Sequence, residues 1–193
     1  MNAAEKPGND LPVMLFQNQQ AWDAWLAEHS GSSLGLWLRL AKKSADLESV
    51  SYQEAIDVAL CHGWIDGQKR SFDAESWLQK FTPRSPKSIW SKINRDKALA
   101  LIEQGRMQAA GLAAIRQAKE NGRWDAAYDS HSTATPPSDF EAALEQSPKA
   151  KAFFATLNSQ NRYAILFRIQ TAKKAETRQK RIAQIIQMLE QHE

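Results

Sequence analysis

The sequence predicts an α+β fold in which helices predominate. A small three-stranded antiparallel sheet, made of a hairpin plus one strand, packs with helices and is followed by a C-terminal helical part. Leucines alternate with other residues over 33–41, which is the period of a half-buried strand, whereas most other segments repeat apolar residues every three or four positions, as a helix face does. We expect an α+β core over 1–130 and a C-terminal helical part over 138–193 that packs on the core.

The first helix and the first strand are predicted from a cap and from apolar spacing. Asn18 is a favourable N-cap for a helix through His29, in which Trp22 and Leu26 lie on one apolar face. The alternating leucines then place the first strand at Ser33–Ala41.

A second helix and a hairpin follow. Ser51–Glu54 has the sequence of a capping box and predicts a helix that ends at Gly63. Ile65–Phe72 and Glu75–Thr82 alternate aromatic and long side chains on both sides of a short turn at Asp73-Ala74, which predicts an antiparallel hairpin. The hairpin and the first strand give the three-stranded sheet.

The rest of the chain is predicted to be helical. Ser85 followed by Pro86 is typical of a helix start and predicts a helix to Gln104, followed by another over Met107–Glu120. Serine, threonine and proline at 131–137 predict a linker. Further helices are predicted at Ser138–Gln146, Ser147–Leu157, Ser159–Gln170 and about Lys173–Gln191.

The stretch from Cys61 to Asn94 is the densest in unusual residues. Asp66 lies among apolar neighbours, so its carboxylate is easily desolvated unless a cation such as Arg84 pairs with it. In the functional interpretation, the guanidinium of Arg84 binds an anion and the indole rings stack on a flat ligand. In the alternative, Asp66 and Arg84 form an internal salt bridge and the tryptophans are core residues. The set, called the predicted cleft below, is Trp64, Asp66, Arg84, Ser88, Trp90, Ser91 and Asn94.

Two serines of the predicted cleft lie near the predicted start of a helix. There the backbone N–H groups and the helix dipole favour a phosphate or carboxylate, and Ser88 and Ser91 would add hydroxyl donors. The alternative is that both serines only cap and solvate the helix.

The basic residues are unevenly distributed. The formal net charge is +3, but residues 80–97 carry +5 and residues 171–182 carry +4, which leaves −6 for the rest of the chain. These stretches allow a nucleic-acid-binding hypothesis, although a charged helix face is usually only solvated. The candidate phosphate contacts are Lys92, Arg95, Lys173, Lys174, Arg178 and Arg181.

The sequence contains no signature of a metal, cofactor or nucleophile site. Cys61 and His62 are neighbours that point about 100° apart on a helix, so they cannot form a Cys–His pair, and Cys61 is predicted to be a core residue. Phosphate-loop, dinucleotide and serine-hydrolase motifs are missing, so we expect no cofactor. We also expect no metal, because the histidines are scattered, at His29, His62, His131 and His192.

The N-terminal segment predicts neither a signal peptide nor a membrane span. It lacks a basic region, and its apolar run, Leu11–Phe16, is short and interrupted by Pro12. A single cysteine is typical of a reducing compartment. We therefore expect a cytoplasmic protein without membrane insertion.

A set of motifs stands in a fixed order along almost the whole chain. The motifs include Ser51-Tyr52, Ala59-Leu60-Cys61, Gly63-Trp64-Ile65-Asp66-Gly67, Phe81-Thr82-Pro83-Arg84, Trp90-Ser91, Gly105-Arg106-Met107, Ala172-Lys173-Lys174 and Glu176-Thr177-Arg178. In this combination the chain resembles the YdeI/OmpD-associated (bacteriocin-protection) protein family. His62 departs from the family pattern, which more often has an aromatic residue there. The resemblance implies a bacterial cytoplasmic protein linked with stress or bacteriocin protection and, through the family name, with an outer-membrane porin; it implies no cofactor, reaction or catalytic residue.

The function expected from these observations is stress or bacteriocin protection by a soluble protein that binds a small anion or a protein partner and is not an enzyme. One alternative is a nucleic-acid-binding module that uses residues 80–97 and 171–182. Another is an uncharacterised enzyme that acts on a small anion with Asp66 as its acid or base.

Overall fold

The computed structural model describes residues 11–130, 133–172 and 174–192, which form four strands and eight helices. The contacts of the chain divide it into two units. The N-terminal unit comprises the described residues up to Ile89 together with Asn94–Asp125, and the C-terminal unit comprises Trp90–Ile93 and the described residues from Ala126 onward. The predicted α+β class with predominant helices is confirmed.

The sheet of the N-terminal unit has four strands and is mixed, so the predicted three-stranded antiparallel sheet is wrong. The strands β1 (Val13–Leu15), β2 (Leu36–Ala41), β3 (Trp64–Ser71) and β4 (Ser76–Pro83) lie in the order β1-β2-β4-β3. Strand β1 is parallel to β2, and the other pairs are antiparallel. The hairpin β3–β4 agrees with the prediction within one residue at each end.

Strand β1 has no pattern that would predict it. It has three residues, of which Val13 and Leu15 are exposed, so no apolar alternation marks it. Its position depends on its partner strand, where the backbone N–H of Trp37 donates to Pro12 O over 2.9 Å.

The predicted first strand begins three residues later than expected, at Leu36. Gly35 has a φ of +132°, and a Cβ atom there would lie 2.6 Å from the carbonyl oxygen of Phe81. Leu34, before this bend, is 73% exposed. The chain therefore becomes a strand only after the glycine.

Helices α1 (Gln19–His29) and α2 (Tyr52–Cys61) start as predicted. The Asn18 side chain accepts a hydrogen bond from Ala21 N over 2.9 Å, and the capping box of Ser51 and Glu54 is formed at the start of α2. Both helices bury their apolar faces against one side of the sheet. The largest fully buried side chains of this core are Trp22, Leu26, Leu36, Leu38, Leu40, Trp64 and Phe81.

Helix α3 (Lys92–Glu103) starts later than predicted. Ser85 and Ser88 instead form a turn, in which Ser88 N donates to Ser85 O and Ser85 N donates to Ser88 Oγ, at 2.9 and 3.0 Å. The hydroxyl of Ser88 thus closes a turn on its own backbone, which competes with a helix. Helix α4 (Ala109–Glu120) follows.

The C-terminal unit contains a group of helices with their own core, and their positions confirm the predicted ones within a few residues. Helix α6 begins with Pro148 at its first position and a Ser147 side chain that accepts from Ala150 N. Within the described residues, no helix combines the length and apolar character needed to cross a membrane. The helices are α5 (Ser138–Glu145), α6 (Pro148–Thr156), α7 (Ser159–Gln170) and α8 (Ala175–Gln191).

Gly111→Ala is expected to lower the midpoint of thermal unfolding, although alanine favours a helix over glycine by about 1 kcal/mol. The added Cβ would lie 2.4 Å from the carbonyl oxygen of Cys61, at the contact between α4 and α2. Overpacking of this kind costs about 1–3 kcal/mol. Gly31→Ala is the control, because a Cβ at Gly31 meets no described atom within 4 Å. Thermal unfolding followed by circular dichroism gives the midpoints of the two variants. A midpoint for Gly111→Ala at or above that of Gly31→Ala would contradict the close contact between α4 and α2.

Candidate functional site

Trp64 of the predicted cleft is a core residue of the N-terminal unit. It is 1% exposed, and its Nε1 donates to the carbonyl oxygen of Ser30 over 3.2 Å. Its ring meets Trp22 and Trp25 edge-on, at angles of 83° and 89°. The hypothesis that Trp64 stacks on a ligand is not supported, because neither face of the indole is open; the alternative of a core tryptophan describes it.

Asp66 and Arg84 have separate partners. The Asp66 carboxylate accepts a hydrogen bond from the Tyr52 hydroxyl over 2.8 Å. The guanidinium of Arg84 donates to the carbonyl oxygen of Ile89 over 3.2 Å, and its backbone N–H donates to Gly63 O. These hydrogen bonds go to groups other than the predicted partner, and the cation–carboxylate pair of Asp66 and Arg84 stays a prediction.

The remaining residues of the predicted cleft are divided between the units. Trp90 and Ser91 belong to the C-terminal unit, where Tyr128 N donates to Trp90 O over 3.0 Å. Ser88 and Asn94 belong to the N-terminal unit. Ser88 lies four residues before the start of α3 and closes a turn, so the predicted placement of its hydroxyl at a helix start is wrong. A ligand site formed by these residues stays a prediction.

Most of the predicted phosphate contacts are engaged within the chain. Arg178 is bonded through Nε and Nη2 to both carboxylate oxygens of Asp139, and this contact raises the pKa of Arg178 and lowers that of Asp139. Lys174 is exposed, and Lys173 lies outside the described residues. The other engaged contacts are Lys92 with Asp129 at 2.5 Å, Arg95 with Asp96 at 3.6 Å, and Arg181 with the carbonyl oxygen of Arg168.

A polar cavity of about 340 Å³ lies in the N-terminal unit, outside the predicted cleft. We call it the Asp23–Arg106 cavity. Its walls come from the first turns of α1, the last turn of α2 and the connection between α3 and α4. The lining residues are Gln19, Gln20, Asp23, Val58, Cys61, Arg106 and Gln108.

A buried histidine holds the carboxylate of this cavity in place. Asp23 Oδ1 lies 2.8 Å from His62 Nε2, and the His62 side chain is only 6% exposed. The Asp23 side chain remains 52% exposed, so the carboxylate is fixed on one side and open to solvent on the other. No other hydrogen bond of the described residues uses Asp23, which leaves its second oxygen available to a ligand.

The connection between α3 and α4 carries the cation of the cavity and is tied to the end of α2. Gln108 N donates to Cys61 O over 3.1 Å, and the Gln108 side chain donates to Arg106 O over 3.3 Å. Arg106 N donates to Leu101 O over 3.0 Å. These bonds fix the backbone on both sides of Arg106, and the half-buried guanidinium lines the cavity.

The thiol of Cys61 in the cavity wall is not set up as a nucleophile. Burial raises the pKa of Cys61 above its usual value; the positive charge of Arg106 opposes this rise, and the negative charges of Asp23 and Asp57 add to it. The thiol therefore stays protonated at neutral pH. Cys61 is 3% exposed, which confirms its predicted core position.

The side chains of the cavity suit a small polar ligand that carries charge. One carboxylate and one guanidinium line the same space with three carboxamides, which donate and accept hydrogen bonds. Arg106 can donate to a carboxylate or phosphate through two N–H groups, and Asp23 can accept from an ammonium group. Within the described residues, no group of three or more His, Cys, Asp or Glu side chains could hold a metal ion.

Sequence reasoning missed this cavity because its residues are common polar types from three separate segments. Asp23 and Arg106 are far apart in the sequence, and nothing in the sequence joins them. Pairing between α2 and α4 brings them together, and its only sequence signal is Gly111, a glycine inside a helix.

Comparison with known families divides the chain in two. Residues 14–114, just over half of the 193, match the family model described as a domain of unknown function, DUF8412. Residues 133–192 match the model described as "Bacteriocin-protection, YdeI or OmpD-Associated", so the resemblance to that family is confirmed for the C-terminal part. The chain belongs to the DUF8412 family and carries a YdeI/OmpD-associated domain. No curated protein and no solved structure matched the chain. All residues of the Asp23–Arg106 cavity lie in the DUF8412 region.

The thiol of Cys61 is expected to react with iodoacetamide at a higher pH midpoint in the folded protein than in guanidinium chloride. Each unit of pKa rise reduces the reactive thiolate about tenfold at a given pH. Mass spectrometry gives the rate at each pH, and a shift of the midpoint separates the pKa effect from simple steric shielding. Folding raises the pKa of the Cys61 thiol. The stability that the protonated thiol contributes is therefore fully present below the pKa that Cys61 has in the unfolded chain, and it is lost as the pH rises through the pKa that Cys61 has in the folded protein. Equal midpoints would contradict the assignment.

Proposed function

We propose that this protein acts in bacterial stress or bacteriocin protection by binding a small charged ligand, and that it does so without catalysis. The YdeI/OmpD-associated domain supports the biological setting. The observation that carries the binding proposal is that Asp23 and Arg106 line one cavity in the N-terminal unit.

The ligand is a small anion that also carries a hydrogen-bond donor, such as an amino acid. Its carboxylate or phosphate binds the guanidinium of Arg106, and its ammonium or amide donor binds the free oxygen of Asp23. The cavity volume of about 340 Å³ is at the lower end of ordinary ligand sites, which suits a metabolite of this size. The carboxamides Gln19, Gln20 and Gln108 bind the ligand's remaining polar atoms.

Binding without catalysis agrees with the state of the groups near the cavity. The raised pKa of Cys61 keeps its thiol protonated, so the cavity wall offers no thiolate nucleophile. Asp66, the acid of the enzyme hypothesis, is bonded to Tyr52. The engaged cations of residues 80–97 and 171–182 favour the ligand proposal over nucleic-acid binding at those stretches. A protein partner, a porin-linked association and a cytoplasmic location stay predictions.

Arg106→Gln is expected to abolish ligand-induced stabilisation. The probes are free amino acids, small dicarboxylates and inorganic phosphate, each added to the intact chain in a thermal-shift experiment. A ligand at one hundred times its Kd stabilises the native state by about 2.7 kcal/mol, which raises the Tm by roughly 5–10 °C in a protein of this size. Arg116→Gln is the matched control, because Arg116 is an exposed arginine of α4 outside the cavity.

The result overturns the proposal if no probe raises the Tm of the wild type, or if Arg106→Gln responds as the control does. A second measurement separates the cavity from the predicted cleft. Cells that depend on this protein for protection should lose it with Arg106→Gln and keep it with Arg84→Ala, provided that both variants accumulate to wild-type levels. Loss with Arg84→Ala alone would favour the predicted cleft.

A further inference from the structure

The sheet of the N-terminal unit has a second face, which none of the proposals above uses. Strand register places Arg39, Leu78 and Arg70 side by side on this face, opposite the buried leucines of β2. Positions two residues away point the same way. The outer face, as we call it, comprises Val13, Leu15, Trp37, Arg39, Arg70, Leu78 and Lys80 by register, and Phe72, which follows β3 and lies against Arg39.

Cations and aromatic rings alternate on the outer face. The guanidinium of Arg70 lies 4.1 Å from the centroid of the Trp37 ring, and that of Arg39 lies 5.4 Å from the centroid of Phe72. The Trp37 side chain is 6% exposed, so Arg70 covers it and is itself exposed above it. Each guanidinium therefore lies against a ring that holds it to the sheet surface.

Three apolar side chains of the outer face are exposed, whereas Trp37 and Leu78 are buried within it. Phe72 is 50% exposed, Val13 48% and Leu15 39%. The core formed with α1 and α2 packs on the opposite face of the sheet, so it does not bury these three side chains. Phe72 follows β3 at one edge of the sheet, and Val13 and Leu15 lie on β1 at the other edge, so the aromatic surface that a flat group can cover is the Phe72 ring.

The charge of the outer face is positive. Arg39 is balanced by Asp73 at 2.8 Å. Arg70 and Lys80 take part in none of the ion pairs among the described residues. The two cations are therefore available to an anionic partner without breaking an internal pair.

We propose that the outer face binds single-stranded nucleic acid. Arg70 and Lys80 contact phosphates, one base stacks on the open ring of Phe72, and another stacks on the guanidinium plane of Arg70 where Trp37 supports it. Binding of single strands combines these two elements, a cationic surface that follows the backbone and flat groups that accept base faces.

A single strand fits this surface better than a duplex or an acidic protein does. A duplex hides its base faces, so it would use the cations and leave Phe72 uncovered. An acidic peptide would pair with Arg70 and Lys80 but offers no regular series of flat groups for the stacked guanidinium and ring. The surface is also distinct from residues 80–97 and 171–182 as a whole, since only Lys80 is shared.

The test measures fluorescence anisotropy of labelled oligothymidine and oligouridine of about twelve nucleotides, with the full chain at low salt. Phe72→Ala is expected to raise the Kd about tenfold by loss of one stacking contact. Arg70→Gln is expected to raise the Kd and to reduce the slope of log K against log salt by about 0.7, the value for one phosphate on a single strand. Both side chains are exposed, and thermal unfolding verifies that both variants are folded.

Arg116→Gln, an exposed arginine on α4, serves as the control and should bind as the wild type does. The proposal is overturned if the wild type does not bind at low salt, or if Phe72→Ala and Arg70→Gln bind as the control does. A duplex that binds more tightly than the single strand also overturns it. Polyglutamate that binds as tightly as the oligonucleotide, with the same loss in both variants, would indicate an acidic protein partner instead.

Discussion

The close contact between α4 and the end of α2 is the constraint on which the candidate site depends. A Cβ at Gly111 would lie 2.4 Å from Cys61 O, and one at Gly63, which has a φ of +72°, would lie 2.7 Å from Ala110 O. Two glycines thus let the helices approach at backbone distance, and the hydrogen bond from Gln108 N to Cys61 O follows. Without this approach Arg106 would have no fixed position relative to α1, and the charged cavity would not form.

Helix α2, which contacts α4 at its end, is also tied to α1. Trp22 of α1 donates its Nε1 proton to Ala55 O in the buried core, and His62 at the end of α2 holds Asp23 of the same helix α1. Two neighbouring residues of α1 thus hold α2 near both of its ends by polar contacts with directional geometry, in addition to apolar burial. Because both helices cover one side of the sheet, the other side is left to the cations and aromatic rings of the outer face.

Much of the fold could be predicted from the sequence because local chemistry determines it. Asn18 and the Ser51–Glu54 box are caps whose side chains bond their own backbone, and the alternating leucines of β2 have one face to bury. Strand β1 and the start of α3 could not be predicted, since a three-residue strand depends on its partner and Ser85 has two competing local structures. The candidate site was less predictable than the fold. The density of tryptophans suggested a ligand site at Trp64, but a large aromatic residue is usually part of the core and can bind a ligand only where one face of its ring is exposed.

The division of the chain between two families bears on how protection would work. The cavity and the outer face both lie in or next to the DUF8412 region, whereas the family linked by name with bacteriocin protection matches residues 133–192. A ligand in the cavity can alter an activity of the C-terminal domain only if it binds two states of the chain with different affinity. If the affinities were equal, ligand binding would leave the C-terminal domain unchanged, so the loss of protection expected with Arg106→Gln requires that the two affinities differ. Binding and protection measured on the same variant therefore distinguish coupled units from independent ones.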